Sequence, residues 1–296
     1  LCLQEVHGQD VEGRPRDLVV LKELLGPTRY ADYQIRSTTL KDKPDVERFR
    51  NLVTLVRPDM TFLEAREIHH EFAPPPQYNF VTPIDQDEED DVAKDIRWDR
   101  PLFYTKVETD GRVLHVLNVH YKSKIPTPIP TQGPRDFKWR SAAGWAEGYF
   151  ISSMKRVGAA LETRIFVDKI LEEEPEALIV LCGDFNAEND EVPMAALRGE
   201  VADTGNPDLH GSVLYALENS VPEDQRFTLF HHGERNMLDH LLVSRGMLGA
   251  YLGTEIHNEI VRDESVAFAF DVKFPSSDHA PIVADFDFSL LPGPLV

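Results

Sequence analysis

Four carboxylate residues in this 296-residue chain each stand beside a short apolar run that is typical of a β-strand. A charged group next to a buried strand is costly unless it is paired, hydrogen-bonded or bound to a cation. A turn or a helix cap readily explains one such residue, whereas four of them predict a shared polar site at one rim of a sheet. The four residues are Glu5, Asp184, Asp239 and Asp278.

Segments with strand and helix character alternate along the whole chain. Residues 102–107 and 112–118 predict a hairpin across Asp110-Gly111, and residues 177–182 predict a buried strand. Residues 139–171 predict a long helix rich in good helix formers. No internal repeat or linker divides the chain, which is long enough for one large core. We therefore expect a single mixed α/β domain built on two packed sheets.

The charge balance restricts the possible partners. The chain has 31 Lys and Arg against 51 Asp and Glu, a formal net charge of −20 at pH 7. Such a surface repels a polyanion unless positive charge is concentrated locally or a cation intervenes. The composition disfavours a protein that coats nucleic acid electrostatically, but allows an enzyme that handles phosphate through a bound metal. Residues 85–91 are interpreted as a solvated acidic loop, because they lack the spacing of a calcium loop.

Cysteine usage and hydropathy bear on the compartment. Cys2 and Cys182 each lie within a short apolar run, and we expect free buried thiols, which fit a reducing, cytoplasmic location. The longest apolar run, residues 177–182, is far shorter than the ~20 residues of a membrane span. No signal peptide is visible, but the chain opens directly on a strand, so the loss of a signal peptide stays open.

Pairs of polar residues two positions apart extend the acidic pattern. Asn118 and His120 are separated by one residue in an apolar segment, so a strand would place both on one face. Asp184 and Asn186 repeat the spacing at the end of the next predicted strand. The pairs therefore predict that polar groups from two strands meet at the same rim.

Two histidines directly follow an aspartate. Asp278 and His279 would face opposite ways in a regular strand and can converge only from a turn, which the preceding Pro and Ser residues favour. His240 follows Asp239 within a predicted strand and should point away from it. We interpret His240 as a core or surface residue without a catalytic role.

Five motifs in order resemble the endonuclease/exonuclease/phosphatase superfamily, the metal-dependent phosphoesterases with the pancreatic-deoxyribonuclease fold. Each motif alone is weak, but together they span nearly the whole chain, and their details most resemble bacterial members of uncertain substrate. The motifs are Leu3-Gln4-Glu5-Val6, Asn118-Val119-His120, Gly183-Asp184-Phe185-Asn186, Leu238-Asp239-His240 and Ser277-Asp278-His279-Ala280-Pro281.

The resemblance implies an α/β (α+β) fold class, a four-layer sandwich of two packed mixed β-sheets flanked by helices. It also implies one catalytic domain over residues 1–296 that lacks the N-terminal strand and helix with which members usually begin. Removing an inner strand would leave two unpaired edges, so we expect those residues to be missing from this sequence. One expected metal-site residue is then unnamed.

The resemblance also implies a role for each acidic residue. Glu5 and Asp278 are the expected ligands of a divalent cation, and hard oxygen ligands suit Mg²⁺ or Mn²⁺. Asp184 is expected to orient or deprotonate the attacking water, and Asn186 to hold either the phosphate or that water. Asp239 is the expected carboxylate partner of a histidine.

The remaining roles concern the phosphate. The resemblance implies that His279 lies next to the scissile phosphate and that His120 donates a hydrogen bond or proton to its oxygens. Asn118 supports His120, and the expected substrate contacts are Asn118, Asn186 and Lys122. Lys122 belongs to a set that is either a substrate-facing cluster or ordinary surface charge. The other members of that set are Lys124, Arg97 and Arg100.

These expectations predict a divalent-metal-dependent phosphoesterase that hydrolyses phosphodiesters by in-line water attack and is nuclease-like. The first alternative is an enzyme for a small-molecule or lipid phosphoester, which the acidic balance favours. The second is a catalytically silent binding module. The expected partner is a phosphate-ester substrate, with nucleic acid among the options, and no protein partner is implied.

Overall fold

The structure is a computed structural model that describes residues 1–82, 92–130, 132–133, 138–263, 265–266 and 277–293. The predicted acidic loop at residues 85–91 lies outside the described residues. Among the described helices, none is both long and apolar enough to cross a membrane. Both cysteines are free thiols, as the sequence predicts, but both are half-buried rather than buried.

Strands and helices alternate along the described chain. The strands are β1 (Cys2–Val6), β2 (Gln9–Val11), β3 (Arg14–Asp17), β4 (Gln34–Ser37), β5 (Asn51–Val56), β6 (Thr61–Ile68), β7 (Gln77–Tyr78), β8 (Lys94–Asp95), β9 (Leu102–Thr109), β10 (Arg112–His120), β11 (Leu178–Asp184), β12 (Leu214–Ala216), β13 (Leu229–His231), β14 (Glu234–Asn236), β15 (Asp239–Ser244), β16 (Tyr251–Ile256) and β17 (Ile282–Phe286). The α-helices are α1 (Val19–Leu25), α2 (Ala142–Glu173), α3 (Val192–Arg198) and α4 (Val201–Thr204). Short 3₁₀ turns include Leu217–Ser220.

The larger sheet has six strands in the order β12-β15-β11-β10-β9-β6. It is mixed, because β10 and β11 run parallel while the other neighbours are antiparallel. The register pairs His120 with Asp184, and Asp184 in turn with Asp239. Three adjacent strands therefore bring candidate residues to one edge of this sheet.

The hairpin predicted between β9 and β10 is confirmed. Asp110 and Gly111 connect the two strands with φ angles of 50° and 69°. Two consecutive positive φ angles are typical of the tight turn that matches the twist of paired strands, and Asp-Gly adopts them at low cost.

The smaller sheet is antiparallel in the order β1-β5-β4. Val56 from this sheet, together with Tyr251 and Phe286 of the β16–β17 hairpin, packs against Val107 and Val243 of the larger sheet. This apolar contact joins the two β-layers face to face and forms the inner core.

Helices cover the outer faces. Leu21 of α1 packs on Val53 of the smaller sheet, and Val167 of α2 packs on Leu117 and Leu181 of the larger one. The order of layers is therefore helix, sheet, sheet, helix, and the predicted α/β fold class is confirmed.

Helix α2 begins three residues later than the sequence predicts, at Ala142, and extends to Glu173. Ser141 caps it, because its side chain accepts a hydrogen bond from the backbone N–H of Gly144. The inward face of the helix includes two buried carboxylates, Glu147 and Glu162. This mixture of buried acidic and apolar residues makes the helical periodicity of the segment weak.

Glu162 anchors a loop to α2. Its carboxylate accepts hydrogen bonds from the backbone N–H groups of His70 and Phe72 at 3.0 and 3.1 Å, and from the Trp98 indole at 2.9 Å. All three donors would be left without a partner if the carboxylate were lost, and unsatisfied buried donors are costly.

We expect Glu162→Gln to lower the free energy of unfolding by about 2 kcal/mol, because an amide oxygen accepts these bonds less strongly than a carboxylate. Urea titration followed by circular dichroism measures the change. Glu172→Gln on the exposed face of the same helix is the control and should change stability by less than about 0.5 kcal/mol. Equal effects of the two substitutions would contradict the anchoring role.

Candidate active site

The candidate residues meet where β10 and β11 end and β15 begins. Asp184, Asp239 and His279 each offer an atom, and these atoms lie within 4.8 Å of one another. His279 reaches this edge from a turn and forms an isolated bridge with Leu229. We call this group the mouth of the larger sheet. The structure thus brings together residues that are up to 95 positions apart in the chain, which is the difference between 184 and 279.

Asp239 and His279 form a close pair. The Nδ1 atom of His279 lies 2.6 Å from Oδ2 of Asp239. Burial alone would lower the pKa of His279, but the hydrogen bond to Asp239, its charge and the charge of Asp184 raise that pKa to about 10. His279 is therefore an imidazolium at neutral pH, able to face a phosphate oxygen.

Asp184 is buried beside that pair. Burial and the charge of Asp239 raise the pKa of Asp184 to about 7, against the opposing effect of His279 and of the Asn186 N–H. A carboxylate with a pKa near neutrality is well suited to exchange a proton with water.

The end of β11 and the turn after it require two unusual residues. Gly183 has a φ of 139°, and an added Cβ would lie 2.0 Å from the Val119 carbonyl oxygen, so only glycine fits. Asn186 has a φ of 50°, in the left-handed region that Asn tolerates better than most residues. Backbone geometry therefore requires the Gly and favours the Asn of the Gly-Asp-Phe-Asn motif, apart from any catalytic role.

Asn186 orients Asp184. Its backbone N–H donates to Oδ1 of Asp184 at 2.8 Å, and its side-chain Nδ2 donates to Oδ2 of Asp184 at 2.9 Å and to the Tyr121 carbonyl at 3.1 Å. Both amide hydrogens are thus used, which leaves an acceptor oxygen. An acceptor can receive a hydrogen bond from water but not from a phosphate diester oxygen, so the water alternative fits the geometry and the phosphate contact does not.

His120 lies between the two acidic groups. Its Nε2 is 3.4 Å from Oδ2 of Asp184 and 3.7 Å from Oε1 of Glu5. Burial, together with the charges of Arg100 and Arg50, lowers its pKa to about 2, so the ring is neutral. Its Nδ1 is buried with no hydrogen-bond partner.

Glu5 stands at the edge of the mouth. The register of β1 shifts between Leu3 and Val6, and Glu5 has a φ of 56°, so the irregular backbone turns its side chain outward. That side chain is 57% exposed, and its Oε1 lies 3.6 Å from Nε of Arg50. His120 therefore lies between Glu5 and Asp184, and the role of Glu5 as a metal ligand remains a prediction.

Asp278 remains at the rim. It is exposed, and its charge contributes to the raised pKa of His279. It does not belong to the compact group of three that includes its neighbour. Its predicted role as a metal ligand remains a prediction.

The expected substrate contact at Asn118 needs correction. Asn118 is 0% exposed, and its Nδ2 donates to the carbonyls of Leu3 and Val53 while its Oδ1 accepts from Gln4. Asn118 shares a face with His120, as predicted, but that face is covered by the smaller sheet. It joins the two sheets and cannot touch a substrate.

Lys122 is also directed away from the mouth. Its ammonium group donates to Oγ and O of Ser123 and to the Ile125 carbonyl, and burial lowers its pKa to about 8. These bonds occupy its three donors, so a direct substrate contact is not supported. Lys124 pairs with Glu191 at 2.8 Å, and Arg97 lies 3.6 Å from Asp95.

Of the four basic residues considered from the sequence, Arg100 is the one that reaches the site. Arg50 lies in the same cleft as Arg100. Both line a cleft of about 280 Å³ with Phe49 and Glu67. Nη1 of Arg100 donates to the carbonyl of His120 at 3.2 Å. Burial, and then the charge of Arg50, lowers the pKa of Arg100, so two cations face one space. The sequence analysis left the role of Arg100 open and did not single out Arg50. Arg50 follows Glu5 by 45 residues in the chain, and only the fold brings the two side chains together.

The donor set fits a hard divalent cation. The two carboxylates of Asp184 and Asp239 are gathered at the mouth, and the carboxylate of Glu5 lies beside His120. Oxygen-rich sites of this kind suit Mg²⁺ or Mn²⁺ better than Zn²⁺. The mouth is thus a group that could hold a metal ion.

Comparison with solved structures shows the class of fold. TDP2 from Caenorhabditis elegans, in truncated form, superposes with a TM-score of 0.52 at 15% identity, over 96% of this chain and 83% of that one. The 3′ phosphatase NExo from Neisseria gives a TM-score of 0.53 at 15% identity, over 97% and 88%. No protein of curated function matches the sequence.

The sequence model of the Endonuclease/Exonuclease/phosphatase family matches residues 137–271. That segment contains Asp184, Asn186 and Asp239, whereas Glu5, His120 and His279 lie outside it. The match covers less than half of the chain and, like the fold, agrees with the resemblance carried by the motifs.

The Asp239–His279 pair predicts a pH-dependent contribution to stability. The pKa of His279 is higher in the folded state, about 10, than the ~6.5 of an unfolded histidine. The stabilisation is therefore complete below about pH 6.5 and is lost as the pH rises through about 10.

We expect the stability difference between the wild type and His279→Gln to shrink by about 3 kcal/mol from pH 6 to pH 10.5, after discounting for partial exposure. Urea unfolding with EDTA present at each pH measures it. Leu252→Gln, at an exposed position with no titratable side chain, is the control and should give a flat difference. A constant difference for His279→Gln would contradict the pairing.

Proposed function

We propose that the protein is a divalent-metal-dependent phosphoesterase that hydrolyses phosphodiester bonds by in-line attack of water. The observation that carries the proposal is the register that sets Asp184 between His120 and Asp239, with His279 bonded to Asp239 at 2.6 Å. The base Asp184, the cationic His279 and further acidic groups therefore lie at one sheet edge. In-line attack of water on a phosphodiester needs such groups close together.

Asp184 is the proposed general base. Its pKa of about 7 allows it to be ionised in the resting enzyme and to take a proton as water attacks. Asn186 holds both carboxylate oxygens through its backbone and side-chain N–H groups, so the base keeps one orientation. The free Oδ1 of Asn186 can accept a hydrogen bond from the same water.

His279 and His120 have different roles in the proposed reaction because their surroundings differ. His279 is cationic and stabilises the negative charge that builds on the phosphoryl oxygens in the transition state. His120 is neutral and can donate one hydrogen bond without bringing charge. Asp239 fixes the ring of His279 through Nδ1 and leaves Nε2 to face the substrate.

Glu5 and Asp278 are the residues that would hold the metal ion, next to the carboxylates of Asp184 and Asp239. A bound Mg²⁺ or Mn²⁺ supplies charge neutralisation at the phosphoryl group and lowers the pKa of water. A cation also resolves the conflict between a phosphate substrate and a surface with a net charge of −20.

We expect hydrolysis of bis-nitrophenyl phosphate in the presence of Mg²⁺ or Mn²⁺, and its loss on addition of EDTA. Release of nitrophenolate measures the rate, and readdition of the metal should restore it. A catalytically silent binding module would release none under any condition, which would overturn the proposed function.

We expect Asp184→Asn to lower kcat by at least about 10³-fold, because removing a general base costs 10²- to 10⁴-fold. Its thermal midpoint should stay close to that of the wild type, because the removal of a buried charge offsets the loss of one acceptor for Asn186. Asp285→Asn, on exposed β17, is the matched control and should keep the wild-type rate. A near-normal rate for Asp184→Asn would refute the assignment of the base.

A nuclease and an enzyme for compact phosphoesters remain the two candidates for the substrate. The Neisseria phosphatase that shares the fold was captured with a product DNA hairpin, which supports a nucleic-acid substrate. The net charge of −20 favours a compact one. Arg50 and Arg100 in the cleft beside the mouth suit either, because each can bind one phosphate.

Salt separates the two candidates. If a DNA strand places two phosphates on Arg50 and Arg100, kcat/KM for it should fall about tenfold between 50 and 200 mM salt. With a small diester that carries no second phosphate, kcat/KM should change less than about twofold. Steady-state rates on a short oligonucleotide and on bis-nitrophenyl phosphate measure both. A salt-independent rate on the oligonucleotide would exclude the nuclease-like reading.

A further inference from the structure

A fully buried ion pair lies directly behind the mouth. The side chains of Glu218 and His240 are both 0% exposed, and Nδ1 of His240 lies 2.5 Å from Oε1 of Glu218. On the other side of the ring, Nε2 of His240 lies 2.8 Å from the carbonyl oxygen of Ala187. The second carboxylate oxygen of Glu218 accepts from the backbone N–H of Leu241 at 3.3 Å. Every polar atom of the pair is therefore satisfied.

The geometry defines the protons on the ring. Nε2 of His240 must donate, because the Ala187 carbonyl can only accept, and with Glu218 as a carboxylate Nδ1 donates as well. The prediction that His240 points away from Asp239 is supported, but the residue is not mere filler.

The pair connects three segments. Glu218 belongs to the 3₁₀ turn Leu217–Ser220, His240 follows Asp239 on β15, and Ala187 follows Asn186. The ring also stands edge-on against Phe185 at 5.4 Å between centroids. The Ala187 carbonyl that contacts His240 thus directly follows Asn186, the residue that orients both oxygens of Asp184.

Stability alone does not account for such a pair. A buried ion pair is often no more stabilising than apolar side chains of the same volume, because both charges lose their hydration. What apolar side chains cannot supply is an N–H directed at the Ala187 carbonyl. The backbone there already holds a left-handed Asn186, a conformation that persists only where the surroundings enforce it.

We propose that Glu218 and His240 form a positioning pair, in which the ring N–H fixes the Ala187 carbonyl and so holds Asn186 and Asp184 in the orientation needed for water attack. Glu218 acts by holding Nδ1 of the ring, so that Nε2 stays directed at the Ala187 carbonyl. The proposal rests on the proposed function, since it concerns the residues that carry out that reaction.

The test compares Glu218→Gln with the double variant Glu218→Leu/His240→Phe. The single substitution should lower both the thermal midpoint and kcat, because it leaves a buried imidazolium uncompensated. The double variant should regain most of the thermal midpoint, yet keep a kcat about 10- to 100-fold below the wild type with KM little changed, because the catalytic group is misplaced. A double variant with restored stability and a wild-type kcat would overturn the proposal.

Glu162→Gln is the matched control for a buried carboxylate with no link to the mouth. It should lower the thermal midpoint without changing kcat at a temperature where all variants are folded. A fall in kcat equal to that of Glu218→Gln would show that general destabilisation accounts for the loss, and would overturn the positioning role.

A readout that needs no turnover keeps the proposal separable from the proposed function. In wild-type protein labelled with ¹⁵N, His240 should show two ring N–H resonances, and the Asn186 side-chain amide should exchange slowly. In Glu218→Gln, which suffices if the double variant does not fold, the Asn186 amide should exchange at least tenfold faster. A single ring N–H for His240, or unchanged Asn186 exchange, would refute the pair even if the enzyme proved inactive.

Discussion

The register between β10, β11 and β15 is the constraint on which the rest of the site depends. It places His120 beside Asp184 and Asp184 beside Asp239. Because side chains alternate between the faces of a strand, a slip of one residue in either pairing would turn one of these groups toward the helices. The parallel step from β10 to β11 is supported by α2, which packs across Leu117 and Leu181 on the opposite face. Packing far from the mouth therefore sets the distances within it.

Environment, more than residue type, distinguishes the charged groups at this edge. Two histidines lie near Asp184, yet burial and two arginines keep His120 neutral while Asp239 makes His279 cationic. Asp184 acquires a pKa near neutrality from burial and from the charge of Asp239. Groups whose pKa values are pushed apart in this way can divide the acid, base and electrostatic roles of one reaction.

Buried polar side chains hold the surrounding loops. Asn118 joins the two sheets, and Glu162 anchors a loop to α2. His240 of the Glu218–His240 pair hydrogen-bonds the backbone directly after Asn186. In each case a fully satisfied polar group sits where an apolar one could have packed. A hydrogen bond specifies direction as well as contact, which makes these groups suited to fixing loops that carry reactive residues.

The sequence by itself determined the hairpin at Asp110-Gly111, the strand that ends at Asp184, the two-sheet fold and the gathering of Glu5, Asp184, Asp239 and His279 at one rim. These follow from local turn chemistry, strand periodicity and the cost of a charge beside a buried run. Only the tertiary structure decided that the smaller sheet covers Asn118 and that the amide of Asn186 donates to Asp184. It also decided that Arg50 and Glu218 approach the site. Strand spacing tells which face a side chain takes, but what covers that face depends on segments distant in the chain.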